Sequence, residues 1–321
     1  MSPTKRAILA LLASLPLGAT AQSAYPDKPI RIIIPVPAGG QTDILARLLG
    51  QKLTAAMGQP VIVESKPGAA TVIATEMITK APRDGYTLLL TLTQIVQAPL
   101  LTTRVKYDVF KDVTPVIRVA ESTAILSVPV GSPLKNVKDF VDQARTRNPP
   151  FSYGSNGHGS TVHLYSDMFS RQYGFQLTHA PYKGEAQIVP DLVSGRLDAG
   201  WLSGMTAANL AKDKQVRNLA TTGRQRLTSL PELPTFDELG YKGLDADGWI
   251  GIFAPGGTPR PIVDKLASEL DKAIKMQDVR ERIMSFGLEP VGGTADDFSK
   301  IVRRSYDQWS HIIKTTGIQL D

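Results

Sequence analysis

The stretch Tyr25-Pro-Asp-Lys-Pro-Ile-Arg-Ile-Ile-Ile-Pro-Val-Pro-Ala-Gly39-Gly40-Gln-Thr42-Asp43 decides the fold. Ile30, Ile32, Ile33 and Ile34 are β-branched and suit a buried parallel strand. Pro35 and Pro37 end it, because proline has no N–H for the ladder. Gly39 and Gly40 allow a tight turn and a close approach of backbone to a guest. An amphipathic helix follows from Ile44 to Leu53, with Thr42 or Asp43 placed to cap it. Strand, glycine loop and helix start leave backbone N–H groups aimed at one spot, which suits a carboxylate or phosphate.

Outward from this stretch, the chain alternates strand and helix. Val61–Glu64 reads as a strand, a loop at Lys66–Ala70 leads to a helix through Met77, and Tyr86–Leu92 is a third strand. That order calls for a parallel sheet with right-handed crossovers. Val116–Val130 is mostly extended and is followed by a helix at Val137–Arg145. A second α/β unit starts at Phe151, with a strand near Thr178–Pro181. Gly248–Pro255 reads as a strand returning to the first unit, and two helices close the chain, near Pro261–Lys275 and Asp296–Lys314. Thr294 and Asp297 form a capping box with Asp in place of Glu. The second unit is thus inserted into the first through two extended crossings, an arrangement that closes like a clam shell. The expected fold is α/β and two-lobed, each lobe a mainly parallel sheet flanked by helices. Residues 22–128 with 248–321 form one domain and 129–247 the other.

Lys5 and Arg6, the apolar run Ala7–Leu17 and Ala19-Thr20-Ala21 have the order of an export signal, expected to occupy residues 1–21. Its apolar run is too short for a permanent membrane anchor. No cysteine stands there to take a lipid. The 321 residues contain no cysteine at all, so stability rests on the apolar core, and thiolate zinc sites are excluded. The net charge of +6 is scattered, without the basic, aromatic-interleaved stripe of a nucleic-acid binder.

A second glycine loop, Tyr153 to His163, repeats the logic of the first. Ser155, Gly157, His158, Gly159, Ser160 and Thr161 are candidate ligand contacts, facing Pro37, Ala38, Gly39, Gly40, Thr42 and Asp43 across a cleft. Each loop alone is an ordinary βα turn; the pair behind an export signal indicates binding. His158 and His163 make a poor metal pair, lacking carboxylates nearby and spaced five residues apart. His163 fits better as a polar residue at the base of the cleft. Lys183 and Trp201 fall where βα turns of the second unit reach the cleft. A hydrolase needs an elbow that Gly154-Ser155-Asn156-Gly157 does not match, and none of Asp191, Asp198, Asp245 and Asp247 stands out as the orienting acid. No Walker-type lysine follows either loop.

Seven segments carry a family resemblance: YPDKPIRIIIPVPAGGQTDILARLL (25–49), GQPVIVESKPGA (58–69), DGYTLLL (84–90), YGSNGHGSTVHL (153–164), HAPYKGEAQIVPDLVSGRLDAG (179–200), LPELPTFDELGY (230–241) and GWIGIFAPGGTP (248–259). The chain resembles the periplasmic solute-binding proteins of tripartite tricarboxylate transporters, the Bug family, over essentially its whole length after the signal. The resemblance implies a Venus-flytrap, periplasmic-binding-protein architecture on a two-strand hinge. It also implies a carboxylate gripped by Val36–Asp43 and Ser155–Thr161, with Thr91, Thr93 and Gln94 as a third contact region. Three segments depart from the family pattern: Ala69-Ala70-Thr71-Val72, Thr91–Ile95 and Gly200–Gly204. The bulk of Trp201, Leu92 and Ile95 implies an apolar or aromatic carboxylate over citrate.

The expectation is therefore a monomeric, cofactor-free, non-enzymatic periplasmic receptor. It captures a dicarboxylate or aromatic carboxylate for membrane transporter subunits, with no nucleic-acid partner, no metal and no stable membrane insertion. A ligand sensor presenting its closed form to a signalling partner has the same sequence features. A periplasmic α/β hydrolase is the remaining alternative.

Overall fold

The computed structural model describes residues 25–68, 71–246 and 248–320. The segment read as an export signal lies outside these residues, as do Ala69, Ala70 and Asp247. The order of elements is β1 (Ile30–Ile34), α1 (Gln41–Met57), β2 (Val61–Ser65), α2 (Val72–Thr79), β3 (Thr87–Leu92), α3 (Gln94–Leu101), β4 (Val113–Ser122), β5 (Ile125–Pro129) and α4 (Val137–Ala144). Then come β6 (Phe151–Ser155), α5 (Thr161–Tyr173), β7 (Leu177–Pro181), α6 (Glu185–Val193), β8 (Ala199–Leu202), α7 (Gly204–Lys212) and β9 (Val216–Thr221). The chain ends with β10 (Gly248–Pro255), α8 (Arg260–Lys275), α9 (Gln277–Met284), β11 (Glu289–Pro290) and α10 (Ala295–Thr316).

Two sheets organise these elements, in the orders β11-β4-β10-β3-β1-β2 and β7-β6-β8-β5-β9. β1 pairs in parallel with β2 and β3, Ile32 standing opposite Val63 and Leu88. Its side chains serve two faces, as the two-residue period of a strand demands. Ile30, Ile32 and Ile34 pack with Leu45, Leu49 and Leu53 of α1 and Leu266 and Leu270 of α8. Ile33 joins the opposite face, with Ala74 and Ile78 of α2. All of these side chains are buried, each isoleucine or leucine contributing roughly 1.5–3 kcal/mol of burial free energy.

Each sheet also contains antiparallel pairs. β10 runs antiparallel between β3 and β4, and β5 runs antiparallel between β8 and β9. The reason is the crossing itself: β4 and β10 carry the chain out of and back into the first sheet, so they run in opposite directions. β5 bonds only to strands of the second sheet, and Thr123-Ala124 link it to β4 of the first. The chain rejoins the first sheet at Gly248, and beside the outward crossing Ala124 N–H donates to Thr222 Oγ1 and Thr222 N–H to Ala124 O, both 2.9 Å.

Helix ends follow local chemistry with two corrections. The N-cap of α1 is Gly40, with no side-chain cap, and Thr42 and Asp43 lie inside the first turn. Thr294 caps α10 by accepting the Asp297 N–H at 3.1 Å, as expected, but the Asp297 carboxylate accepts from the Thr294 hydroxyl at 2.6 Å rather than from the Thr294 N–H. No helix among the described residues is long and apolar enough to cross a membrane.

Candidate functional site

Between the sheets lies a cavity of about 230 Å³, equivalent to roughly eight liquid waters. The first sheet's elements supply Gln41, Leu92, Thr93, Gln94 and Trp249, among others; the second's supply Asn156, Thr161, Tyr165, Glu185, Trp201 and Ser203. The crossings add Thr123, Thr222 and Ala246. Thr123 Oγ1 is buried with no hydrogen-bond partner in the protein, a hydroxyl left to a guest.

Five helices begin at this cavity, which follows from the strand-loop-helix order of both units. α1 reaches it through Gln41, α3 through Thr93 and Gln94, α5 through Thr161, α6 through Glu185 and α7 through Ser203. The N-cap residues of α1, α3, α6 and α7 make no side-chain cap. Backbone donors are therefore left at the ends where the helix dipole is positive. Two of these ends already hold one of the chain's own carboxylates. Asp43 accepts the Gly39 N–H at 2.9 Å and the Arg47 guanidinium at 3.1 Å, and Arg47 first, then Gly39, hold its pKa below the ordinary range. Glu185 accepts the Ser203 N–H at 3.2 Å and its hydroxyl at 3.1 Å.

Of the residues singled out from sequence, Thr93, Gln94, Thr161 and Trp201 line the cavity. Thr93 is held by β10: its Oγ1 accepts the Trp249 N–H at 2.8 Å. Thr161 accepts from Gln97 Nε2 of α3 at 3.1 Å, a bond between the two units. Trp201 lies against Phe236, its Nε1–H donated to Ser166 Oγ at 2.7 Å. Leu92 lines the cavity as expected, but Ile95 is buried in the core, its carbonyl accepting the Tyr107 hydroxyl.

Several candidates stand elsewhere. Pro37, Ala38, Gly39 and Gly40 form an exposed rim that reaches the cavity only through Gln41, whereas Thr42, Asp43 and Thr91 are buried. Lys183 is exposed and is not among the lining residues. Ser155, Gly157, His158, Gly159, Ser160 and His163 shape the loop beside the cavity, which touches it through Asn156 and Thr161. Asn156 falls in the Ser155–Thr161 loop and Ser203 in the Trp201–Gly204 turn read from sequence, whereas Glu185 and Thr222 were not among the candidates; Glu185 was signalled only by opening a helix after β7.

The second loop gathers three histidines, His179 of β7 joining His158 and His163, with ring nitrogens within 4.8 Å of one another. His179 comes in through the β6–β7 pairing, which sets it beside Tyr153. The His163 and His179 rings are nearly parallel at 4.1 Å. An ion lying in the plane of one ring then lies well out of the plane of the other, so the pair does not chelate as arranged. Ser155 Oγ and His179 Nε2 are 2.6 Å apart, which resembles a nucleophile and its base. Ser155 is fully buried and off the cavity wall, and His179 is acted on by two other histidines rather than a carboxylate. The pair does not form a triad.

Burial first, then His163 and His158, push His179 down to about 4 from 6.5; burial and His158 also lower His163. The unfolded chain then binds a proton at His179 that the folded chain refuses. Stability falls as pH drops from about 6.5 to about 4, with no contribution above that window. Thermal melts across it are expected to show a steeper loss for the wild type than for His179→Gln. Equal slopes would contradict the assignment.

A larger depression of about 820 Å³ lies between α5, the 242–246 segment and α10, lined by Arg171, Lys242, Asp245 and Asp307 among others. It shares only Ala246 with the cavity and is entered by neither glycine loop.

Comparison with known proteins converges on one group. Residues 45–318 match the family described as Tripartite tricarboxylate transporter family receptor. Protein BugT of Bordetella pertussis is 32% identical over 301 residues, covering 92% of this chain and 91% of that protein. Among solved structures, the R. palustris protein Rpa4515 with adipate superposes with a TM-score of 0.79 at 32% identity, covering 92% of this chain and 99% of that one. MatC (Rpa3494) from Rhodopseudomonas palustris with bound malate gives a TM-score of 0.76 at 26% identity, over 90% and 100% of the two chains.

Proposed function

This chain belongs to the tripartite tricarboxylate transporter receptor family, and from that premise we propose that it captures a small organic carboxylate between its lobes and presents it to membrane transporter subunits. The observation that carries this reading is the convergence of five helix N-termini on one cavity whose wall has no lysine, arginine or histidine among its described residues. Such a wall attracts an anion through backbone donors and hydroxyls. The adipate and malate bound by similar proteins support the same chemistry. The lobes are taken as the chain up to Ser122 with Gly248 onward, and Ile125 to Ala246.

The receptor captures its ligand and returns it unchanged, needing no cofactor or metal. Residues 1–21 direct it to the periplasm, where it acts as a monomer without a lipid anchor. The site is the cavity wall described above, with Pro37 to Gly40 and the Ser155–Thr161 loop closing over it.

A thermal-shift screen of the purified protein against aliphatic and aromatic carboxylates, sugars and phosphate esters tests this function. A ligand that binds only the folded state stabilises it by about 2.7 kcal/mol at a hundred times its Kd. The expected result is a raised melting temperature with carboxylates and unchanged ligand recovered afterwards. A screen in which only sugars or phosphate esters raise it would contradict the reading.

A further inference from the structure

The wall of the interlobe cavity carries one formal charge among its described residues, and that charge is negative. It belongs to Glu185, at the start of α6. Ser203 takes up one acceptor position on each of its oxygens, through its N–H at 3.2 Å and its hydroxyl at 3.1 Å. An ionised carboxylate offers about four such positions, so acceptor capacity remains on a group that is only half-buried and lines the cavity. Donors able to hold a guest carboxylate stand on both lobes, at Asn156 and Thr161 beside Glu185 and, across the cleft from it on the first lobe, at Gln94.

A cavity of about 230 Å³ keeps the two ends of a small guest close together. A guest held by one carboxylate on the first lobe therefore brings its other end to Glu185. A second carboxylate there meets a like charge, which opposes its binding. A hydrogen-bond-donating cation meets an acceptor already fixed in place by Ser203. We propose that the ligand is a zwitterionic amino carboxylate, its carboxylate on the first lobe and its ammonium on Glu185, rather than a dicarboxylate. This rests on the carboxylate-receptor reading and narrows it.

Calorimetry on the purified full chain with four matched probes tests it: propionate, alanine, β-alanine and succinate, followed by their higher homologues. The set holds one carboxylate constant and varies the second group between hydrogen, ammonium and carboxylate. The expected result is a preference for an amino carboxylate over its dicarboxylate partner of about tenfold or more. Glu185→Gln should cut amino-carboxylate affinity by about ten- to a hundredfold, the range of a charge-assisted hydrogen bond, and reduce the discrimination against the dicarboxylate. Gln keeps an acceptor for the Ser203 N–H; should the variant still fail to fold, the wild-type preference alone decides. A wild type that binds dicarboxylates more tightly, or a folded variant with an unchanged preference, overturns the assignment of Glu185. Failure of every probe to bind overturns the carboxylate reading itself and this inference with it.

Discussion

Replacing Gly204 with alanine is expected to weaken ligand binding about tenfold or more while leaving the second lobe folded. Gly204 opens α7, and a Cβ there would come within 2.9 Å of the Gly287 carbonyl oxygen and 3.2 Å of its Cα. Gly287 belongs to the segment between α9 and β11, so this is backbone of one lobe against backbone of the other. The approach is reciprocal: a Cβ on Gly287 would lie 2.2 Å from the Met205 nitrogen, and Gly287 holds a φ of +69°. No side-chain rotation relieves either contact, and the lobes must part. At the first position of α7 alanine is tolerated as well as glycine, so lost affinity reports on lobe approach and not on unfolding of α7. Calorimetry with a carboxylate bound by the wild type, beside the radius of gyration in solution, checks it. An unchanged affinity would mean that the ligand does not require the lobes to meet at these two glycines.

Trp249→Ala should be the most destabilising change at the cavity, costing about 3–5 kcal/mol, or roughly 10 °C in melting temperature. The indole is fully buried, packs edge-on against Phe298 at 5.2 Å and donates to Ser305 Oγ at 2.9 Å. Truncation leaves a large cavity beside the ligand site and a buried hydroxyl short of its donor. The backbone N–H of the same residue is held by Thr93, so the damage extends to the start of α3 and ligand affinity falls as well. Trp249→Phe, which keeps most of the volume, should cost less. A Trp249→Ala protein that melts with the wild type would contradict the packing described for β10.

Most of the fold was legible because its strands are short apolar or β-branched runs between glycine, proline or polar breaks; β1 and β2 are the β-branched ones. α3 and α6 were not legible, since Pro99 and Pro190 lie inside them and proline in a helix pattern reads as an interruption. Strand direction for β4, β5 and β10 was hidden as well: a buried apolar run has the same composition in parallel and antiparallel pairs.

The site divided along the same line. Thr161 was reachable because it stands at a helix start behind a strand, whereas Thr93 and Gln94 came only from the family resemblance. Trp201 was reachable as a bulky residue near a βα turn. Glu185 was missed because an acidic residue in a first turn is the commonest way to satisfy a helix dipole, and its place on the cavity wall depends on packing. His179 was missed because its neighbours, His158 and His163, reach it only through the β6–β7 register. At the first glycine loop, read from sequence as an anion trap, the Gly39 N–H is taken by the chain's own Asp43.

Tryptophan emission measured through a carboxylate titration tests the central claim most directly. Of the three tryptophans, Trp201 and Trp249 line the cavity and Trp309 is buried in the core. A carboxylate seated between the lobes should change the emission saturably, with a midpoint equal to the calorimetric Kd and a stoichiometry of one. Calorimetric binding with the emission unchanged would place the ligand away from both tryptophans and contradict the account.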